Sequence, residues 1–146
     1  MKITEVEILL VEDTRSDAEM TIRAIRKSNI SNNIIHLKNG EEAINFLFGK
    51  GEYQGRDTNQ KPKVILLDLK MPKVNGIEVL TSIRSNDLTR KIPVVILTSS
   101  NENPDIEKCY ELGVNSYVVK PIVIEDFVKK VSDLGLYWMI YNQSPI

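Results

Sequence analysis

The sequence predicts an α/β fold: a doubly wound, five-stranded parallel sheet with helices on both faces. Two observations predict it. Short apolar runs alternate with amphipathic stretches along the chain, the rhythm of successive βα units. The runs are continuously apolar, as strands buried on both faces must be.

The elements follow in order. Val6 to Val11 reads as a buried strand. Ser16 to Lys27 reads as a helix, with Ser16 and Glu19 at capping-box spacing and Ala18, Ile22 and Ile25 on one face. Asn33 to Leu37 is the second strand, and Gly40 to Phe48 a helix with Ala43, Ile44, Leu47 and Phe48 as its apolar stripe. Gly49 to Lys63, rich in glycine, charge and amides, reads as a long and partly disordered surface loop. Val64 to Leu67 is the third strand, and Asn75 to Ser85 a helix whose apolar residues are Ile77, Val79, Leu80 and Ile83. Ile92 to Leu97 is the fourth strand. Pro104 to Leu112 is a helix stopped at Gly113, and Ser116 to Val119 the fifth strand. Ile124 to Trp138 closes the chain as a helix with Phe127, Val131, Leu134 and Trp138 inward. Residues 1–146 are expected to form one domain, with no output domain after Pro121.

A chain of 146 residues is long enough to bury a real core. Its formal net charge of -1 gives no basic field for nucleic acid. Arg15, Arg23, Arg26 and Lys27 make a local basic patch, read as a solvated helix face. One cysteine, Cys109, excludes an intrachain disulfide and a cysteine metal site, and points to a reducing cytoplasmic location. No apolar run reaches spanning length, so no membrane association is expected.

In open parallel sheets function gathers at the carboxyl ends of strands. There the sequence places Glu12-Asp13, Asp68, Thr98-Ser99 and Lys120-Pro121. Two carboxylates about 4 Å apart repel by roughly 4 kcal/mol at an effective dielectric of about 20. One lysine cannot offset three acids, whereas a divalent cation can. Oxygen ligands suit Mg²⁺, with Mn²⁺ as an alternative, and the absence of His and Cys nearby disfavours Zn²⁺. A carboxylate beside such an ion can attack phosphorus to give an acyl phosphate. The ion and the Lys120 ammonium would neutralise the phosphoryl oxygens, and the Thr98 hydroxyl would donate to them.

At these residues the sequence resembles the receiver domain of two-component response regulators. The stretches that carry the resemblance are ILLVEDTRSDAE, ILLDLKMPKVNGIEVL, IPVVILTSS and NSYVVKP, in that order. It implies strand order 2-1-3-4-5, Mg²⁺ on Glu12, Asp13, Asp68 and the Lys70 backbone carbonyl, and phosphorylation of Asp68. Thr98 and Lys120 would contact the phosphoryl oxygens, with the Ser99 N–H beside them. Pro121 stands where the family commonly has a cis peptide bond. The segments GKGEYQGRD, SSNENPDIEKCYELGVNSYVVKP and LGLYWM are similar to small stand-alone regulators that serve phytochrome-type histidine kinases. That subgroup implies a sensor histidine kinase as phosphoryl donor and a downstream protein as reader. It also implies a homodimer through helix four, strand five and helix five.

Taken singly, these residues have plainer readings. Asp68 could cap a turn, Glu12-Asp13 could cap the first helix, Lys120 could be a solvated lysine, and Thr98 a capping hydroxyl; the set in register outweighs each. Tyr117 is either a half-buried strand tyrosine or the aromatic that receivers use to report phosphorylation. Lys70 and Ser100 are loop residues or tuners of dephosphorylation. His36 reads as structural and away from the crevice, and Cys109 as helix packing. Tyr137, Trp138 and Tyr141 divide between closing the core and forming an interface. Two rival functions carry less. A phosphohydrolase using Asp68 would usually place a second acid where Lys70 stands, and a purely structural module would not need the full acid, Thr and Lys set.

Overall fold

A computed structural model describes residues 7–27, 33–99 and 101–120, together with residue 129. Five parallel strands form one sheet in the order β2-β1-β3-β4-β5. They are β1 Ile8–Val11, β2 Ile34–Leu37, β3 Val64–Leu67, β4 Val94–Thr98 and β5 Ser116–Val119. Four helices are described between them: α1 Arg15–Lys27, α2 Gly40–Phe48, α3 Gly76–Arg84 and α4 Asn103–Glu111. Apart from residue 129, the last expected helix, Ile124 to Trp138, lies outside the described residues, as do Ser100, Pro121, Tyr137 and Tyr141. Among the described residues no helix is long and apolar enough to cross a membrane.

Alternation along each strand builds the two layers. Leu9, Val11, Ile65, Leu67, Val94 and Ile96 face α2, α3 and Cys109 of α4. Ile8, Leu10, Val64, Leu66, Val95, Leu97 and Val118 face Ala18, Ile22 and Ile25 of α1. The sheet is therefore covered on both faces, as a double winding requires. Cys109 is fully buried in the first layer. Burial, and then the nearby charge of Asp105, push its thiol up to about 11, so it serves as packing and stays protonated.

Several local expectations needed correction. Helix α1 begins at Arg15, and Ala18 N–H donates to the Thr14 carbonyl, so Ser16 lies inside the first turn and cannot cap it. Glu19 instead pairs with Arg15 at 3.1 Å, a pair too exposed to add much stability. Strand β4 starts only after Pro93, which has no N–H for the ladder, and runs on to include Thr98. In α2 Ala43 and Leu47 are buried as expected, but Phe46 is buried with them, while Ile44 and Phe48 are only partly covered.

The segment after α2 is organised and not disordered. Gly49, at φ 66°, ends α2 in the left-handed region, where glycine carries no Cβ penalty. A 3₁₀ turn, Gly51–Tyr53, follows. Tyr53 meets the Phe46 ring edge-on at 5.1 Å, and the Arg56 guanidinium lies 3.9 Å from the centre of that ring. Arg56 also donates to the carbonyls of Phe46 and Gln60. One aromatic thus anchors a loop whose composition reads as mobile.

Two contacts fix the ends of α3. At its start the Gly76 N–H donates to Leu69, and a Cβ on Gly76 would stand 2.3 Å from the Asp68 carbonyl oxygen. At its end Arg84 donates to four carbonyls, those of Leu112, Arg90, Ile92 and Gly113, at 2.7–3.0 Å. That fork ties α3 to the turns before β4 and β5.

Gly76→Ala should cost about 2–4 kcal/mol, because backbone and not a flexible side chain must move aside. Urea unfolding midpoints measure it, and an unchanged midpoint would show that the loop after Asp68 yields easily. Arg84→Met should cost about 2–4 kcal/mol by leaving several carbonyls unpaired. Arg84→Lys should recover little of this, since one ammonium cannot span four acceptors.

Candidate phosphoacceptor site

Sheet register assembles the site. Val11 pairs with Leu67, so the next residues, Glu12 and Asp68, leave β1 and β3 side by side. Asp68 N–H donates to the Val11 carbonyl, and Glu12 N–H to Leu37 of β2, each at 3.0 Å. Thr98 pairs with Val119, which brings Lys120 to the same edge, and Lys120 N–H donates to the Thr98 carbonyl at 2.6 Å. Tertiary pairing alone thus gathers residues from four parts of the chain.

Glu12, Asp68, Thr98 and Lys120 are buried, whereas Asp13 and Ser99 are exposed at the rim. Glu12, Asp13 and Asp68 each offer a carboxylate oxygen, and the three oxygens lie within 4.8 Å of one another. An all-oxygen set of this kind fits a hard divalent cation that keeps some of its waters. Asp68 Oδ1 accepts from the Lys70 N–H at 3.2 Å, which orients the carboxylate. The Lys70 side chain points instead toward Asp105 of α4, at 4.0 Å.

The Lys120 ammonium is drawn three ways. It donates to Glu12 Oε1 at 2.5 Å and to Asp17 Oδ2 at 3.0 Å, and it lies 3.9 Å from Asp68 Oδ2. Glu12 Oε2 accepts from Thr14 N–H at 3.2 Å. Burial, and then the adjacent Asp68 carboxylate, push the Glu12 carboxyl up to about 7 against the opposing pull of Lys120. Burial disfavours the Lys120 charge, but hydrogen bonds to Glu12 and Asp17 outweigh it, and its pKa is raised. The pocket is therefore short of positive charge, and a metal ion or a proton relieves it.

Two contributors escaped the sequence. Asp17, in the first turn of α1, is not singled out by any motif, yet it accepts a hydrogen bond from Lys120. His36 was expected away from the crevice, but its Nε2 hydrogen-bonds the Glu12 carbonyl at 2.8 Å, bracing the acidic turn from the edge strand. Its role is structural, and strand-to-strand reach from β2 is what the sequence could not display. Tyr117 is half-buried against the core, paired in register with Ile96.

Comparisons with known proteins agree with this geometry. The sequence matches the response regulator receiver domain over residues 8–132. It is 39% identical over 138 residues to the probable methanogenesis regulatory protein FilR2 of Methanothrix harundinacea, covering 94% of this chain and 86% of that protein. It is also 39% identical over 132 residues to response regulator Rcp1 of Synechocystis, covering 90% of this chain and 88% of Rcp1. The crystal structure of the Mn²⁺-bound form of Rcp1 superposes with a TM-score of 0.83 over 97% of this chain and 99% of Rcp1, at 37% identity. That of the phosphorylated cyanobacterial phytochrome response regulator RcpA gives 0.84 over 98% of this chain and all of RcpA, at 32% identity. With strand order, acidic triad and strand-end lysine all in place, this chain belongs to the response regulator receiver domain family.

Proposed function

We propose that this chain is a phosphorylation switch in which Asp68 accepts a phosphoryl group from the phosphohistidine of a sensor kinase. The observation that carries the reading is the convergence of Asp68, Glu12 and Asp13 at one sheet edge, with Lys120 Nζ 3.9 Å from Asp68 Oδ2. One Asp68 oxygen attacks phosphorus, the phosphorus–nitrogen bond to the donor imidazole breaks, and the imidazole leaves with that electron pair and takes a proton. Glu12, Asp13, Asp68 and the Lys70 backbone carbonyl would hold Mg²⁺, or Mn²⁺ as the Rcp1 structure has it. When bound, the ion supplies charge neutralisation for the phosphoryl oxygens. Lys120, the Thr98 hydroxyl and the Ser99 N–H complete that neutralisation from the protein. Lys70 N–H keeps the Asp68 carboxylate oriented, and the two flanking strands hold its backbone in place.

The product adds nearly two negative charges at the end of β3. Thr98 and Lys120 would sense them and pass the change along β4 and β5 to Tyr117. The face made by α4 and β5 would then present the altered surface to a downstream protein or to a second copy of this chain. The similarity to RcpA supports a phytochrome-type kinase as the donor. The work done is signalling, with phosphoryl transfer and loss on Asp68 its only chemistry, and the one-cysteine composition supports a cytoplasmic setting.

Acetyl phosphate with Mg²⁺ should add one phosphoryl mass to the protein, and Asp68→Asn should abolish the adduct. Intact mass spectrometry reads both, and an adduct that survives in Asp68→Asn would place the acceptor elsewhere. Magnesium affinity should also depend on pH. The Glu12 carboxyl holds its proton up to about 7, and the ion needs the carboxylate, so binding releases a proton. Affinity should therefore rise with pH between about 6 and 8, approaching tenfold per unit below 7, and level off above. Calorimetric titrations at pH 6 and pH 8 that returned the same dissociation constant would contradict this.

A further inference from the structure

We infer that Asp17 is a positioning residue for the switch: it holds Lys120 off Asp68 in the unphosphorylated protein and so opposes phosphorylation. The inference rests on the reading of Asp68 as the phosphoacceptor. Its ground is the geometry of the Lys120 ammonium. That group is almost fully buried, and a buried ammonium must be paired. It is bonded to Glu12 and Asp17, while Asp68 Oδ2, at 3.9 Å, lies beyond hydrogen-bond distance.

The two partners of Lys120 differ in kind. Glu12 belongs to the carboxylate triad that fits a cation, and Asp17 does not. Once an ion draws on Glu12, Asp17 is the anion still committed to Lys120. Asp17 is also the partner that can let go. Its side chain is 38% exposed against 3% for Glu12, so water can take over its charge when the ammonium leaves. Its place in the first turn of α1 keeps the carboxylate favourably placed even then. A phosphoryl group on Asp68 carries nearly two charges and needs Lys120 to move by only about 1 Å to bond it.

Any ligand that draws Lys120 toward Asp68 must break the Asp17 bond first. Asp17 therefore stabilises the unphosphorylated form more than the phosphorylated one, and the two events are coupled. The pair spans 103 residues of sequence and links α1 to the end of β5. Asp17 would thereby set the phosphorylation equilibrium without touching phosphorus.

The test is the binding of beryllofluoride in the presence of Mg²⁺ to the parent protein, Asp17→Asn, Lys120→Met and the double variant. Asp17→Ala serves as a second substitution, and unfolding midpoints confirm that each variant is folded. Asp17→Asn and Asp17→Ala should each bind beryllofluoride about 3–10-fold more tightly than the parent. In the Lys120→Met background the same change should shift affinity by less than about twofold, because the coupling runs through Lys120. An unchanged affinity in Asp17→Asn and Asp17→Ala overturns the inference. So does a gain that persists without Lys120, which would mark a general charge effect. If the parent itself binds no beryllofluoride, the phosphoacceptor reading falls and this inference with it. A parent that binds, with indifferent Asp17 variants, overturns this inference alone.

Discussion

The parallel pairing of β1 with β3 is the constraint on which the site depends. Val11 and Leu67 stand opposite each other, and the Asp68 N–H closes the ladder on the Val11 carbonyl. A slip of one residue would turn every buried side chain of β3 to the other face. Such a slip would also separate Asp68 from Glu12. The apolar alternation that fills the two layers therefore also fixes where the carboxylates meet. Folding and chemistry draw on the same register.

Assembly of that edge concentrates like charge. Glu12, Asp17 and Asp68 gather round the buried Lys120 ammonium, and Asp13 adds a further carboxylate beside Glu12 and Asp68. Burial strengthens each repulsion and each attraction there, since water cannot screen them fully. The raised pKa of Glu12 and the tight pairing of Lys120 are two responses to one imbalance. A cation is a third. A site so poised responds strongly to an added doubly charged group, which is the property a phosphorylation switch needs.

Rigid backing makes the response usable. His36 braces the Glu12 carbonyl, Gly76 lets α3 press against the Asp68 backbone, and Arg84 locks the far end of that helix. With its surroundings held on these sides, a change in charge at Asp68 has few places to go. The Lys120 ammonium, bonded to Glu12 and Asp17 and 3.9 Å from Asp68, is the charged group placed to register such a change.

The sequence by itself determined the alternation of strands and helices, the two apolar layers and which polar groups stand at the carboxyl edge of the sheet. Apolar runs and helical periods are local signals, and Glu12, Asp13, Asp68, Thr98 and Lys120 stand where those runs stop. β3 and β5 have the very bounds that their apolar runs mark, and Gly40–Phe48 forms the helix its pattern describes. Local signals misled where two local readings competed. Ser16 has a capping partner at the right spacing, yet the helix had already begun at Arg15. Glycine and charge made residues 49–63 look loose, while the order there comes from Phe46, outside the loop. Only the tertiary structure decided which partner Lys120 takes, that His36 reaches Glu12, and that Arg84 bonds carbonyls up to 29 residues away. The physical reason is that a hydrogen bond is chosen by distance in space and by what else is buried nearby. Neither is written in the spacing of residues along the chain.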